Sequence, residues 1–288
     1  MTKGMSSQLP RKVLVLGASL LLVAGMAFAQ NNGENNANSG QNANTTNQSN
    51  ANSDVSQYEP NPNESNIEKR IDASARVLDS IMGIKDKAIP DKIMKDAKCI
   101  AVIPSMVRFA IGFGGEHGKG VATCRLPDGS WSSPAPISIT GGSWGLQFGG
   151  QAVDLVLVVL NKHGMDELLA DKFKIGANAT AAAGPIGRDA GADTDWKFKT
   201  DMLTYSRARG IFAGVDLSGS VISQDKDETR VLYGKFVPFA AILAGHIRPA
   251  PGESDHRFEA AVRKYAEQAR GRAHAQVKQT STTQTASR

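Results

Sequence analysis

Pro136–Val159 reads PISITGGSWGLQFGGQAVDLVLVV, and the course of this stretch decides the fold. Its centre, GGSWG from Gly141 to Gly145, has the G-x-S-x-G form of a nucleophile elbow, a strained strand-to-helix turn that presents a serine at the mouth of a hydrolase sheet. An elbow needs a strand before Ser143 and a helix after it. PISIT supplies the strand, but LQFGGQ follows, and Gly149 and Gly150 would each cost about 1 kcal/mol relative to alanine inside a helix. The expected context is strand, tight bend, strand, with the Ser143 hydroxyl tying the bend and Trp144 packing beside it. A serine esterase using Ser143 stands as an alternative, because Asp154 or Asp166 with His163 or His246 would complete a triad on paper.

Glycine extends the theme to either side of this stretch. IGFGG places Gly112, Gly114 and Gly115, and EHGKG places Gly118 and Gly120. Within strands such residues mark bulges, bends or close backbone approach, so a strongly curved sheet or small barrel is expected. GFGGEHG lacks both the G-x-G-x-x-G spacing and the Lys-Ser/Thr of a phosphate loop. Glu116 and His117, between glycines, read as a hairpin tip. AVDLVLVVLN is apolar on both parities and reads as a central, covered strand.

Around this sheet, SNIEKRIDASARVLDSIM carries Ile67, Ile71, Leu78, Ile81 and Met82 at helical spacing behind the cap Ser65. IPDKIMKDA, MDELLADK, KDETRVLYG and ESDHRFEAAVRKYAEQAR read as further helices, and RLPDGSW as a hairpin turn. GIFAGVDLSGSVIS reads as one strand with a wet face. The fold class is therefore α+β: a strongly curved, mainly antiparallel β-sheet or small barrel flanked by N- and C-terminal helices. About 190 folded residues suffice for one domain.

The two ends differ from this core. VLVLGASLLLVAGMAFA, behind a basic start and before an A-x-A site, reads as a signal peptide over residues 1–29, with an uncleaved anchor as the alternative. Residues 30–66 are an Asn-rich spacer too polar to bury a core. Residues 67–270 form the domain, and 271–288 a basic polar tail. Losing Lys3, Arg11 and Lys12 with the leader lowers the formal net charge from +5 to +2. Residues 263–288 hold six Lys or Arg against Glu267 alone, which leaves residues 30–262 at −3. A nucleic-acid binder would need a basic, aromatic-rich patch on the folded part, and that class is excluded.

Cys99 and Cys124 are an even pair in a chain expected to be exported, hence a candidate disulfide, with two buried free thiols as the alternative. No Cys-His spacing suits a metal, and no cofactor is implied. RDAGADTD, with Asp189, Asp193 and Asp195, and QDKDE, with Asp225, Asp227 and Glu228, lack calcium-loop spacing and read as turns and caps.

DAKCIAVIPSMVRFAIGFGGEHGKGVATCR, GSWSSPAPISITGGSWGLQFGGQAVDLVLVV, LADKFKIG, AAAGPIGRDA and SRARGIFAGVDLSGSVISQDKDETRVLYG follow one another as do the blocks of the SYLF domain family, which the chain resembles over about residues 67–235. The resemblance implies a non-enzymatic, phospholipid-binding domain, with membrane contact attributed to the first helix. That helix offers Ile67, Ile71 and Leu78 as an apolar face and Lys69, Arg70, Arg76 and Lys85 toward anionic headgroups. Actin, a partner of some eukaryotic members, is not expected for an exported bacterial one. A protein partner in the cell envelope is the alternative to lipid.

Overall fold

Ser65 opens the folded part with a capping box, its hydroxyl accepting from the Glu68 N–H while the Glu68 carboxylate accepts from the Ser65 N–H. The computed structural model describes residues 65–187, 200–208, 211–213, 217–249 and 253–286. The expected leader and most of the spacer lie outside the described residues, as do Asp189, Asp193 and Asp195. The capped helix α1 spans Asn66–Gly83, and a short α2, Asp91–Asp96, leads at Lys98 into the sheet.

Two strands dominate. β1 runs Cys99–Cys124 and β2 runs Ala135–Val159, paired antiparallel along nearly their whole length. They are joined by the expected LPDGS turn, in which the Ser130 N–H donates to the Asp128 carboxylate and Gly129 takes φ +87°. This ribbon is folded over on itself. The C-terminal part of β2 pairs with β5 (Met202–Ala208) from Asp154 to Val159, and its N-terminal part pairs with β7 (Val221–Gln224) from Ile137 to Thr140. β3 (Lys172–Lys174) extends the β7 side, while β4 (Ala181–Ala183, parallel) and β6 (Ile211–Ala213) flank β5. One hairpin thus supplies both walls of a curled, mixed sheet that has seven strands among the described residues.

GGSWG therefore lies within β2 with no reversal of the chain: Ser143 pairs with Gly114 and Gly142 with Gly115. The glycines serve the curvature of one strand, and the expected bend between two strands is corrected. The side chains of Ser143 and Trp144 lie outside the described residues. Glu116 and His117 are likewise mid-strand, opposite Gly141 and Thr140, because the hairpin turn is at LPDGS. GIFAGVDLSGSVIS divides into β6 and β7, with a turn at Gly219, where φ is +89°.

Close backbone approach lets the walls meet. A Cβ on Gly118 would lie 2.6 Å from Ile103 Cγ2, and one on Gly120 would strike the Val102 carbonyl oxygen. Inside the fold lie Ala101, Ile103, Ile137, Leu155, Leu157 and Ile222, covered by Phe239, Ile242 and Leu243 of α5 (Phe239–Leu243). The other parity of the same strands, Ile100, Val102, Val156 and Val158, faces a helical layer. AVDLVLVVLN is thus covered on both faces, as its pattern requires.

That layer is α1, α2 and the long α6, Glu253–Ala286, which buries Phe258, Ala261, Val262, Tyr265, Ala266 and Ala269 at helical period. Ion pairs tie it down: Arg257 to the buried Asp72 at 2.6 Å, and Lys264 to Asp79 at 3.3 Å. α6 continues past Arg270, so the residues read as a tail extend the helix, in keeping with their Ala, Arg and Gln content. α3 (Lys162–Leu169) is capped by Asn161, and α4 (Lys226–Tyr233) by Asp225 and by Gly234 in the left-handed region.

Candidate functional site: the folded end of the ribbon

Beyond its pairing with β5 and β7, the ribbon continues as an arm in which, among the described residues, β1 and β2 pair only with each other, from Val107 to Gly115 and Gly142 to Ala152. A bulge at its root sets which side chains face out. Between Ile103 and Met106 the register shifts, and Ser105 takes φ +50°. Asp154 holds this geometry, accepting from the Ser105 N–H at 3.0 Å and from Arg207 at 2.9 Å.

Before the bulge, odd-numbered residues point inward: Cys99, Ala101 and Ile103. After it Met106 points inward, and Val107 and Phe109 emerge 52% and 54% exposed. The ring of Phe109 lies against Gly115, where a Cβ would come within 2.9 Å of it. Around these two side chains the arm's sequence is apolar and glycine-rich: Ile111 pairs with Phe148 and Phe113 with Trp144, though their side chains lie outside the described residues.

Polar contacts brace the arm from within. Glu116, 6% exposed, pairs with Arg108 at 3.0 Å and accepts the Ser220 hydroxyl, so both limbs of β1 are tied to the turn before β7. Arg108 is thereby turned inward between the outward Val107 and Phe109. Lower on the same limb, Lys119 pairs with Asp225 at 2.7 Å, and Glu228 pairs with Arg70 of α1 at 3.0 Å. The Asp225 hydrogen bond raises the Lys119 pKa above its ordinary value, against the opposing effect of burial. Asp227 pairs with Arg230, so the carboxylates of QDKDE act in caps and ion pairs.

The residues read from the sequence as a lipid face are differently placed. Ile67, Ile71 and Leu78 are each fully buried against the sheet and α6. They reach a bilayer only if α1 leaves its own core. Lys69 and Arg76 are on the exposed side of α1, Arg70 is in its ion pair, and the Lys85 side chain lies outside the described residues. Cys99 and Cys124 are joined in a disulfide. Val107 and Phe109 carry no special mark in the sequence; the signal available was the pairing of aromatic residues with double glycines in IGFGG and LQFGG.

Residues 140–264 match the family model described as Ysc84, Las17-binding protein actin regulator. The chain is 32% identical over 206 residues to the SH3 domain-containing YSC84-like protein 1 of Rattus norvegicus, covering 69% of this chain and 60% of the rat protein. The human protein of the same name is also 32% identical, with 59% of its length covered. LAS seventeen-binding protein 3 of Saccharomyces cerevisiae is 32% identical over 169 residues, 58% of this chain and 37% of the yeast protein. The chain thus spans about 60% of the mammalian relatives' length. The order of blocks along the folded ribbon and these matches agree: the chain belongs to the Ysc84, or SYLF-domain, family.

Proposed function

We propose that this protein is a non-enzymatic module that associates peripherally with phospholipid membranes of the cell envelope, using the arm of the folded ribbon. The observation that carries the reading is the projection of Val107 and Phe109 from an arm that no other strand pairs with among the described residues. Ile84, Ile186, Val231 and Phe236 are also exposed but lie off the ribbon, whereas Val107 and Phe109 stand two residues apart on one strand face, the arrangement of an interaction surface. Burying each half-exposed side chain in the acyl boundary contributes about 1 kcal/mol. The −3 balance of residues 30–262 makes insertion rather than bulk charge the main attraction. Among the described residues no helix is long and apolar enough to cross a membrane.

Export is supported by the leader-like start and by the Cys99–Cys124 disulfide, which suits an oxidising compartment. An exported chain does not meet cytoplasmic actin, so the actin-regulator description of the family is not carried over. Ser143 belongs to a continuous strand rather than a strand-to-helix turn, and this supports a non-enzymatic reading. A protein partner seated on the same arm is the second reading, favoured by the Las17-binding description of the relatives.

The test is co-sedimentation of the purified protein with vesicles of mixed zwitterionic and anionic phospholipid. Val107→Asp with Phe109→Asp should lower the bound fraction at least tenfold while the circular dichroism spectrum stays unchanged. Equal sedimentation of the double variant overturns the assignment to the arm, and no sedimentation of the unaltered protein with any bilayer overturns lipid binding itself.

A further inference from the structure

Where α2 ends and β1 begins, Lys95, Asp96, Lys98, Arg125, Leu160 and Arg270 line an open cleft of about 210 Å³. Four of the six are cationic, and they come from four parts of the chain. Arg125 is the best fixed. Its guanidinium lies over the Trp131 ring, 4.6 Å from the centroid, and donates to the carbonyls of Ala97, Met94 and Lys95. It thus covers the negative end of α2, which would otherwise repel an anion. Its Nη1 remains buried without an acceptor. Lys95, Lys98 and Arg270 have no ion-pair partner among the described residues, although Arg272, two positions along α6, is paired with Asp91.

Three cations without an ion-pair partner among the described residues, set with Arg125 against the one carboxylate of Asp96 around a concavity, are the complement of a multiply charged oxyanion. The volume lies below the roughly 300 Å³ at which pockets for drug-sized ligands begin, which suits a small tetrahedral anion. We infer that this cleft binds a phosphate group, with Arg125 as the fixed wall and Lys98 and Arg270 closing on the oxygens. The source is a soluble phosphate or phosphomonoester. Lys98 immediately precedes β1 and Val107 lies nine residues further on, roughly 30 Å of extended chain, so a bilayer held by the arm does not bring its headgroups here. The inference is therefore independent of the membrane reading.

The experiment is calorimetric titration of the full chain with inorganic phosphate at low ionic strength, paired with sedimentation on phosphatidic acid vesicles. Lys98→Gln with Arg270→Gln is compared with a control removing two exposed cations of β3, Lys172→Gln with Lys174→Gln. Saturable phosphate binding that falls at least tenfold in the cleft variant alone supports the inference with a soluble source. Absence of phosphate binding together with loss of vesicle binding in the cleft variant alone supports the phosphate site but assigns it to a lipid headgroup. A cleft variant that matches the unaltered protein in both titrations, or a control variant that loses as much, overturns the site.

Discussion

Cys99 and Cys124, the first and last residues of β1, are bonded to each other, with their Cα atoms 4.0 Å apart. A single strand thus leaves the body of the protein, folds over and returns to its own starting point. Both cysteines are buried, at 0% and 2% exposure. Closing a loop of 25 residues is worth about 3 kcal/mol on the chain-entropy model. Cys99→Ser with Cys124→Ser should lower the urea-unfolding free energy by about that amount without changing the fold.

Gly120 lies where the two limbs of β1 cross, with no room for a Cβ against the Val102 carbonyl. Gly120→Ala should cost about 3 kcal/mol, the upper end for overpacking. Gly142→Ala, on the arm, meets its nearest atom at 3.9 Å and should stay within about 1 kcal/mol of the unaltered protein. Thermal unfolding of the two variants measures the contrast.

Ile71 is fully buried in the layer between α1, the sheet and α6. Ile71→Asp should destabilise by more than about 3 kcal/mol, through a lost apolar side chain and a buried unpaired charge. Phe109→Asp, on an exposed position, should leave the melting temperature within a few degrees. An Ile71→Asp protein as stable as its parent would show that α1 is not held in the core.

His163 and Asp201 form a pair whose two titrations give opposite limbs to the pH dependence of stability. Burial alone would raise the Asp201 pKa, but the Thr180 N–H and hydroxyl, His163 and Asn161 outweigh it and hold the carboxyl at about 2. Its contribution is present above the ordinary 3.8 and is lost as pH falls toward 2. The Asp201 hydrogen bond raises the His163 pKa, so that contribution is complete below 6.5 and fades as pH rises through the raised value. His163→Gln should flatten the alkaline limb of the urea midpoint against pH while only partly reducing the acid limb, which the Thr180 bonds to Asp201 still support.

Much of this was legible in the sequence because local rules and tertiary packing agree there. Val153 to Val159 is apolar on both parities and is covered on both faces, and Leu126 to Ser130 turns where Pro, Asp and Gly permit. The candidate site was not legible, for a reason that can be located. Strict alternation from Cys99 would send Val107 and Phe109 inward, and the bulge at Pro104 and Ser105 reverses that parity; Pro104, with no N–H for the ladder, is the residue that marks it. The stripe of α1 is open to two readings in the sequence. An amphipathic helix facing a bilayer and one facing a sheet have the same period, and only the burial of Ile67, Ile71 and Leu78 tells them apart.

Beyond the brace of Arg108, Glu116 and Ser220 the arm pairs only with itself among the described residues, so its length there is uncoupled from the walls below it. Removing two residues from each side of each limb would shorten its reach while every core residue kept its neighbour. Removing one residue would exchange inside for outside at Val107, Arg108 and Phe109, burying the apolar pair and stranding the arginine. Relatives that differ in reach should therefore differ by even steps, so that depth of contact can vary while the framework stays constant.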